Sequence, residues 1–295
     1  MYTTLISVEQ LKALLAANAR LMVFDCSFDL MDPARGEQQY HEGHLPGAVY
    51  AHLDQALSDM GQPGPGGAVQ PHPDAASGGR HPLPSREKFA MWLSSVGFAN
   101  DMQAVVYDRS GAAFCGRLWW MLKWAGHEAV AVLDGGLQAW QAAGGEVRPG
   151  NEPSHFQTNF ALGAPLRRLV GTREVEQHLG QADQLLVDAR GAARFRGEVE
   201  PLDPVAGHIP GAVNRPCSDN LDAGGKFKPA AQLRAEFEQL LAGRDPATVV
   251  HQCGSGVSAL SNAVAMELAG FAPAGLYAGS WSEWVSRPGA PVEKG

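Results

Sequence analysis

Short unbroken apolar runs alternate along this chain with longer stretches whose apolar positions recur every three or four residues. The runs at 21–25 (LMVFD), 104–108 (AVVYD), 129–133 (AVAVL), 185–188 (LLVD), 248–252 (TVVHQ) and 274–278 (AGLYA) predict strands. Strands apolar at every position are buried on both faces, as in parallel sheets. Helical spacing covers 7–18, with Ser7 as N-cap, and then 116–125, 137–143, 172–179, 258–268 and 281–285. This alternation predicts an α/β layer structure with mainly parallel sheets, which place ligand sites at the carboxyl ends of their strands.

The pattern occurs twice. GHLPGAV at 43–49 returns as GHIPGAV at 207–213, AVVYD as TVVHQ, and LDGGLQAW at 133–140 as YAGSWSEW at 277–284. The spacing between copies shortens by about twenty residues after the first motif, so the first half carries an insertion. It lies in the Gly- and Pro-rich stretch 60–84, which predicts an irregular loop. PGPGGA within that stretch is not a phosphate loop, because no Lys-Ser or Lys-Thr follows it. The expected division is an N-terminal domain at 1–146, a linker at 147–164 and a C-terminal domain at 165–295.

Composition narrows the function. The 295 residues are 45% hydrophobic and 18% charged, which excludes disorder, and the net charge of −8 without basic clusters argues against nucleic acid. No apolar run reaches the roughly 20 residues of a membrane helix. The opening segment reads as an amphipathic helix rather than a signal peptide, so a cytoplasmic protein is expected. Cys26, Cys115, Cys217 and Cys253 are widely separated, which suggests neither a disulfide framework nor a metal site.

One cysteine stands where chemistry is expected. Cys253 follows the run at 248–252 and opens CGSGVSA, a Gly-rich turn leading into a helix. Gly254 and Gly256 allow the loop amides of 254–258 to turn inward, and amides near a helix N-terminus favour a thiolate, the reactive form. A cysteine phosphatase needs an arginine six positions on, but Ala259 stands there. A serine hydrolase needs G-x-S-x-G, and the order Gly254, Ser255, Gly256, Val257, Ser258 lacks it. Cys26, Cys115 and Cys217 precede no such turn and read as inert. Trp119, Trp120 and Trp124 read as helix packing, and His72 and His81 lack ligand spacing.

Together, GH[LI]PGAV in duplicate, LDGGLQAW, GSWSEW and CGSGVSA resemble the tandem-domain rhodanese sulfurtransferases over nearly the whole chain. The resemblance implies two similar α/β domains, a nucleophilic Cys253 in the second, and Asp108 or Arg109 at the corresponding place in a silent first domain. It implies no metal and no organic cofactor. The loop CGSGVSA is similar to that of the enzymes acting on 3-mercaptopyruvate, whereas those acting on thiosulfate carry basic residues after the cysteine. The donor's carboxylate then falls to Arg194, with the loop residues Gly254, Ser255, Gly256, Val257 and Ser258 lining the donor site. The second arginine usual nine positions later is Asp203 here, which leaves Arg190 and Arg196 as substitutes. By the same resemblance Ser255 relays a proton together with His44 and Asp32 of the first half, although the recurrence of the histidine as His208 equally fits a fold-building role. The implied partners are a small sulfur donor and a thiol, thioredoxin or cyanide acceptor. Thiosulfate as donor, and a non-enzymatic persulfide carrier or sensor, are the alternatives.

Overall fold

The sheets follow the apolar runs closely. In the computed structural model, which describes residues 1–63 and 69–295, the chain divides into two units. The first comprises Met1–Ser58, Pro84–Leu166 and Ala223–Lys226, and the second Asp59–Leu83, Arg167–Asp222 and Phe227–Gly295. Most of the long insertion of the first half therefore packs with the second unit.

The first unit contains β1 (Leu5–Ile6), α1 (Val8–Ala16), β2 (Leu21–Asp25), α2 (Pro33–Glu42) and β3 (Val49–Tyr50). The insertion supplies a two-stranded ribbon, β4 (Met60–Pro63) with β5 (Val69–Pro71), within the second unit; residues 64–68, which include most of PGPGGA, lie outside the described residues. The first unit resumes with α3 (Arg86–Ser95), β6 (Gln103–Tyr107), α4 (Cys115–Trp124), β7 (Val130–Leu133) and α5 (Gly136–Ala142). Its sheet is parallel throughout, in the order β1-β7-β6-β2-β3. Ser7 caps α1 as expected, in a reciprocal box with Gln10: the Gln10 N–H donates to Ser7 Oγ and the Ser7 N–H to Gln10 Oε1.

The second unit repeats this with β8 (Arg168–Val170), α6 (Thr172–Gln177), β9 (Leu185–Asp188), α7 (Ala192–Phe195), β10 (Val213–Asn214), α8 (Ala230–Leu241), β11 (Val249–Gln252), α9 (Ala259–Leu268), β12 (Gly275–Tyr277) and α10 (Ser280–Ser286). The parallel order β8-β12-β11-β9-β10 is the same, strand for strand. From β9 the chain crosses to the edge strand β10, and from β11 it crosses the opposite way to β12. The carboxyl ends of β9 and β11 therefore flank the point where the winding reverses, the place where open parallel sheets bind ligands.

Each unit has its own core, around Ile6, Val23, Val105 and Trp140 in the first and Val170, Val250, Trp281 and Trp284 in the second. All of α4 is buried, including Trp119, Trp120 and Trp124, so those indoles are packing residues. The repeated histidine is a fold element in both units. His44 stacks on Tyr40 and donates from Nδ1 to Tyr40 O at 2.7 Å; His208 stacks on Phe195 and donates to Phe195 O at the same distance. No helix among the described residues is long and apolar enough to cross a membrane.

Candidate functional site

Strand pairing fixes which residues correspond. Asp25 pairs with Tyr107 in the first sheet and Asp188 with Gln252 in the second, so the next residues, Asp108 and Cys253, occupy the same position. This resolves the sequence ambiguity in favour of Asp108, and places Arg109 opposite Gly254.

The first unit shows what such a loop holds. One carboxylate oxygen of Asp108 accepts the N–H groups of Ser110 and Ala112, and the other those of Phe114 and Cys115, at 2.8–3.0 Å. The loop is an anion cradle, filled by its own side chain. In the second unit the loop is one residue shorter before the helix, and its strand-end residue is a thiol. The N–H groups of Gly254, Ser255, Val257 and Ser258 have no protein acceptor among the described residues, which leaves them available to a charged sulfur or a donor anion.

The repeated GSWSEW motif anchors this loop. Cys253 N–H donates to Ser280 Oγ (3.1 Å), Trp281 N–H to Cys253 O (3.0 Å) and Ser282 N–H to Gly254 O (2.8 Å). Gly256 turns the chain at φ +72, where a Cβ would stand 2.1 Å from Ala278 O, so only glycine fits. Val257 is buried beneath the loop and Ser258 begins the turn into α9. Cys253 itself is 2% exposed. Burial and then the Asp25 and Asp108 carboxylates push the Cys26 and Cys115 thiols well above their ordinary value.

Arg194 reaches the loop. A side chain at 254 would begin 3.5 Å from Arg194 Nη2 and 3.7 Å from Nη1, and 3.2 Å from Arg80 Nη2. Arg80, in the insertion, gave no sequence signal of its own and was missed. Arg190 and Arg196, the expected substitutes for a second arginine, are both engaged by carboxylates. Arg190 is buried, binds Asp188 and Gly207 O, and lies over the Trp281 ring. Arg196 is paired with Glu198 in solvent. Asp203 instead bridges Arg80 (2.5 Å) and Arg194 (3.3 Å), while Glu200 binds Arg194 at 2.6 Å. Burial pushes the Asp203 carboxyl above its usual value despite Arg80. For Glu200 burial acts the same way, but hydrogen bonds from Arg194 and the Leu202 N–H prevail and hold it below.

The partner of Ser255 also differs from expectation. Its Oγ lies 2.7 Å from His81 Nδ1, both side chains being buried in the second unit. His44 belongs to the first unit, where its nitrogens are engaged by Tyr40 O and, at 3.3 Å, by Glu152. Asp32 is exposed at the start of α2 and makes no side-chain cap hydrogen bond. The histidine that meets Ser255 is therefore one of the insertion, outside the duplicated motif. The available signal was Gly78-Gly79 ahead of Arg80-His81: Cβ atoms there would stand 2.7 Å from Glu283 and 2.5 Å from Gly279 O, so glycine lets this segment press against α10.

Two positions before Cys253, His251 is fully buried on β11, and neither ring nitrogen has a partner among the described residues. Burial lowers its pKa to about 4. The unfolded imidazole takes up a proton near pH 6.5, so between about 6.5 and 4 the unfolded state binds more protons and stability falls as pH drops. The first unit has Val106 at the matching place. His251→Val is expected to remove about 2 kcal/mol of stability loss between pH 7 and pH 5, as read from urea titrations at the two pH values.

Comparison with known proteins agrees with this architecture. A rhodanese-like domain model matches residues 7–143 and 172–287. A probable 3-mercaptopyruvate sulfurtransferase of Pseudomonas aeruginosa is 44% identical, covering 99% of this chain and 98% of its own length. A putative thiosulfate sulfurtransferase of Mycobacterium tuberculosis is 37% identical, covering 99% and 97%. The structure of the 3-mercaptopyruvate sulfurtransferase from Leishmania major is similar with a TM-score of 0.79 at 29% identity, covering 98% of this chain and 76% of that one. The chain belongs to the rhodanese family of sulfurtransferases, with two rhodanese-like domains in tandem.

Proposed function

We propose that the protein takes sulfur from 3-mercaptopyruvate, carries it as a Cys253 persulfide and passes it to a thiol acceptor such as thioredoxin, or to cyanide. The Cys253 thiolate attacks the donor sulfur and the carbon–sulfur bond breaks, its electron pair leaving on the carbon fragment as an enolate. The proton of the donor's own thiol then ends on that carbon, giving pyruvate and an anionic persulfide, so atoms and charge balance without another reagent. An acceptor thiolate attacks the outer sulfur and restores Cys253.

The observation that carries this reading is the contact between Ser255 and His81 beside the strand-end cysteine. A donor cleaved at carbon needs a proton delivered to carbon, and a hydroxyl in contact with an imidazole is a relay for it. The cradle amides take the negative charge on sulfur, and Arg194 holds the carboxylate.

Purified protein given 3-mercaptopyruvate or thiosulfate with a thiol acceptor tests the reading through pyruvate, sulfite and sulfide. Pyruvate is expected over many turnovers, with ping-pong kinetics. Preference for thiosulfate would replace the donor, and a single equivalent of sulfur transferred per chain would indicate a carrier.

A further inference from the structure

The repeated segments LDGGLQAW and YAGSWSEW share one left-handed backbone position, and the two units fill it differently. Gly136 lies at φ +57 and Ser280 at φ +54, each the first residue of its helix. Matching bonds fix the correspondence: Leu137 N–H donates to Asp108 O, and Trp281 N–H to Cys253 O. Left-handed backbone strains a residue that carries a Cβ, whereas glycine adopts it freely. The first unit uses glycine, and a Cβ there would stand 2.3 Å from Asp108 O. Forming this turn therefore requires no side chain. The second unit nevertheless places a serine here, fully buried. The other left-handed non-glycine residue among the described residues of that unit, Ala242, ends α8, where such caps are common. Ser280 ends no helix, so the reason for its strain lies in what its hydroxyl does.

That hydroxyl accepts the Cys253 N–H at 3.1 Å and donates to Tyr277 O at 2.8 Å. The ladder between β11 and β12 has its last pair at His251 and Leu276, so the hydroxyl bridges the two strands just beyond the point where their own pairing stops. Cys253 is thereby tied through its N–H to Ser280 and through its C=O to Trp281, which sets the direction of its Cα–Cβ bond. Its single backbone donor is turned to Ser280, and the amides of Gly254, Ser255, Val257 and Ser258 are left for the sulfur. The first unit has no equivalent need. Four amides grip the two oxygens of Asp108 and align that side chain themselves. A sulfur is one atom and a weak acceptor, so its alignment has to come from the backbone that carries it.

We propose that Ser280 is a positioning residue for the nucleophile, its hydroxyl fixing the strand-end peptide so that the Cys253 sulfur stands among the loop amides. This rests on the reading that Cys253 is the nucleophile, and it gives the serine of the second repeat a task that the glycine of the first does not have.

Two substitutions separate the hydroxyl from the backbone strain. Ser280→Gly restores the residue of the first unit, losing the hydroxyl and the strain together, so its urea midpoint should stay close to wild type. Ser280→Ala loses the hydroxyl and keeps the strain, so its midpoint should fall. Both are expected to lower kcat per folded molecule by the same factor, about tenfold, with KM changed less than twofold, because the donor-binding groups are untouched while the attacking atom is misplaced. Iodoacetamide, which is neutral, reports on the sulfur independently of donor binding, and its reaction with Cys253 should slow by a similar factor in both variants. Wild-type kcat and labelling rate in Ser280→Gly would overturn the proposal, as would a kcat that follows the unfolding midpoint through the two variants. If iodoacetamide labelling of Cys253 leaves wild-type turnover intact, the nucleophile reading fails first and takes the proposal with it.

Discussion

Cys253→Ser is expected to abolish sulfur transfer, lowering kcat by about 10⁴-fold or more with either donor. A serine hydroxyl is not ionised at neutral pH and cannot form a persulfide. The loop itself should persist, because it is held by bonds from Trp281 and Ser282 to backbone carbonyls and from the backbone N–H of residue 253 to Ser280, none of which uses the sulfur. Cys26→Ser and Cys115→Ser are the controls: burial and neighbouring carboxylates already keep those thiols protonated, so turnover per folded molecule should be unchanged. Rates of pyruvate and sulfite release, measured beside the unfolding midpoint of each variant, separate lost chemistry from lost fold.

His81→Asn should distinguish between donors. Cleavage of 3-mercaptopyruvate moves a proton to carbon, whereas cleavage of thiosulfate releases sulfite and requires none. If His81 and Ser255 form the relay, the substitution lowers kcat with 3-mercaptopyruvate by roughly 10²–10³-fold while thiosulfate turnover stays within a few-fold. A structural role would depress both donors together. His44→Asn makes the complementary case. His44 is fully buried, stacked on Tyr40 and bonded to its carbonyl, so its loss should lower stability and leave kcat per folded molecule intact.

The contrast between these histidines shows how far the sequence could be read. Buried parallel strands leave unbroken apolar runs, so the central strands of both sheets were legible, as was the capped start of α1. The edge strands β1, β3 and β10 have two residues each, too few to carry any period, and α2 is predominantly polar, so these elements had no pattern to find. Cys253 and its loop were legible because a strand end, a glycine turn and a helix start are consecutive in sequence. Arg80 and His81 were not. They lie more than a hundred residues upstream in a Gly- and Pro-rich stretch, and their place beside Gly254 and Ser255 is set by tertiary packing. Repetition, the strongest signal in the chain, identifies what both units need in order to fold. A site confined to one unit is marked by what is not repeated: Cys253 in place of Asp108, Gly254 in place of Arg109, and an insertion without a counterpart.

The most direct test of the account is to mix the protein with 3-mercaptopyruvate in the absence of any acceptor, quench, and map the peptides by mass spectrometry. The account predicts one added sulfur atom on the Cys253 peptide, one equivalent of pyruvate per chain, and removal of that sulfur by a thiol. Pyruvate released with no sulfur on Cys253, or sulfur found on Cys26, Cys115 or Cys217 instead, would contradict it.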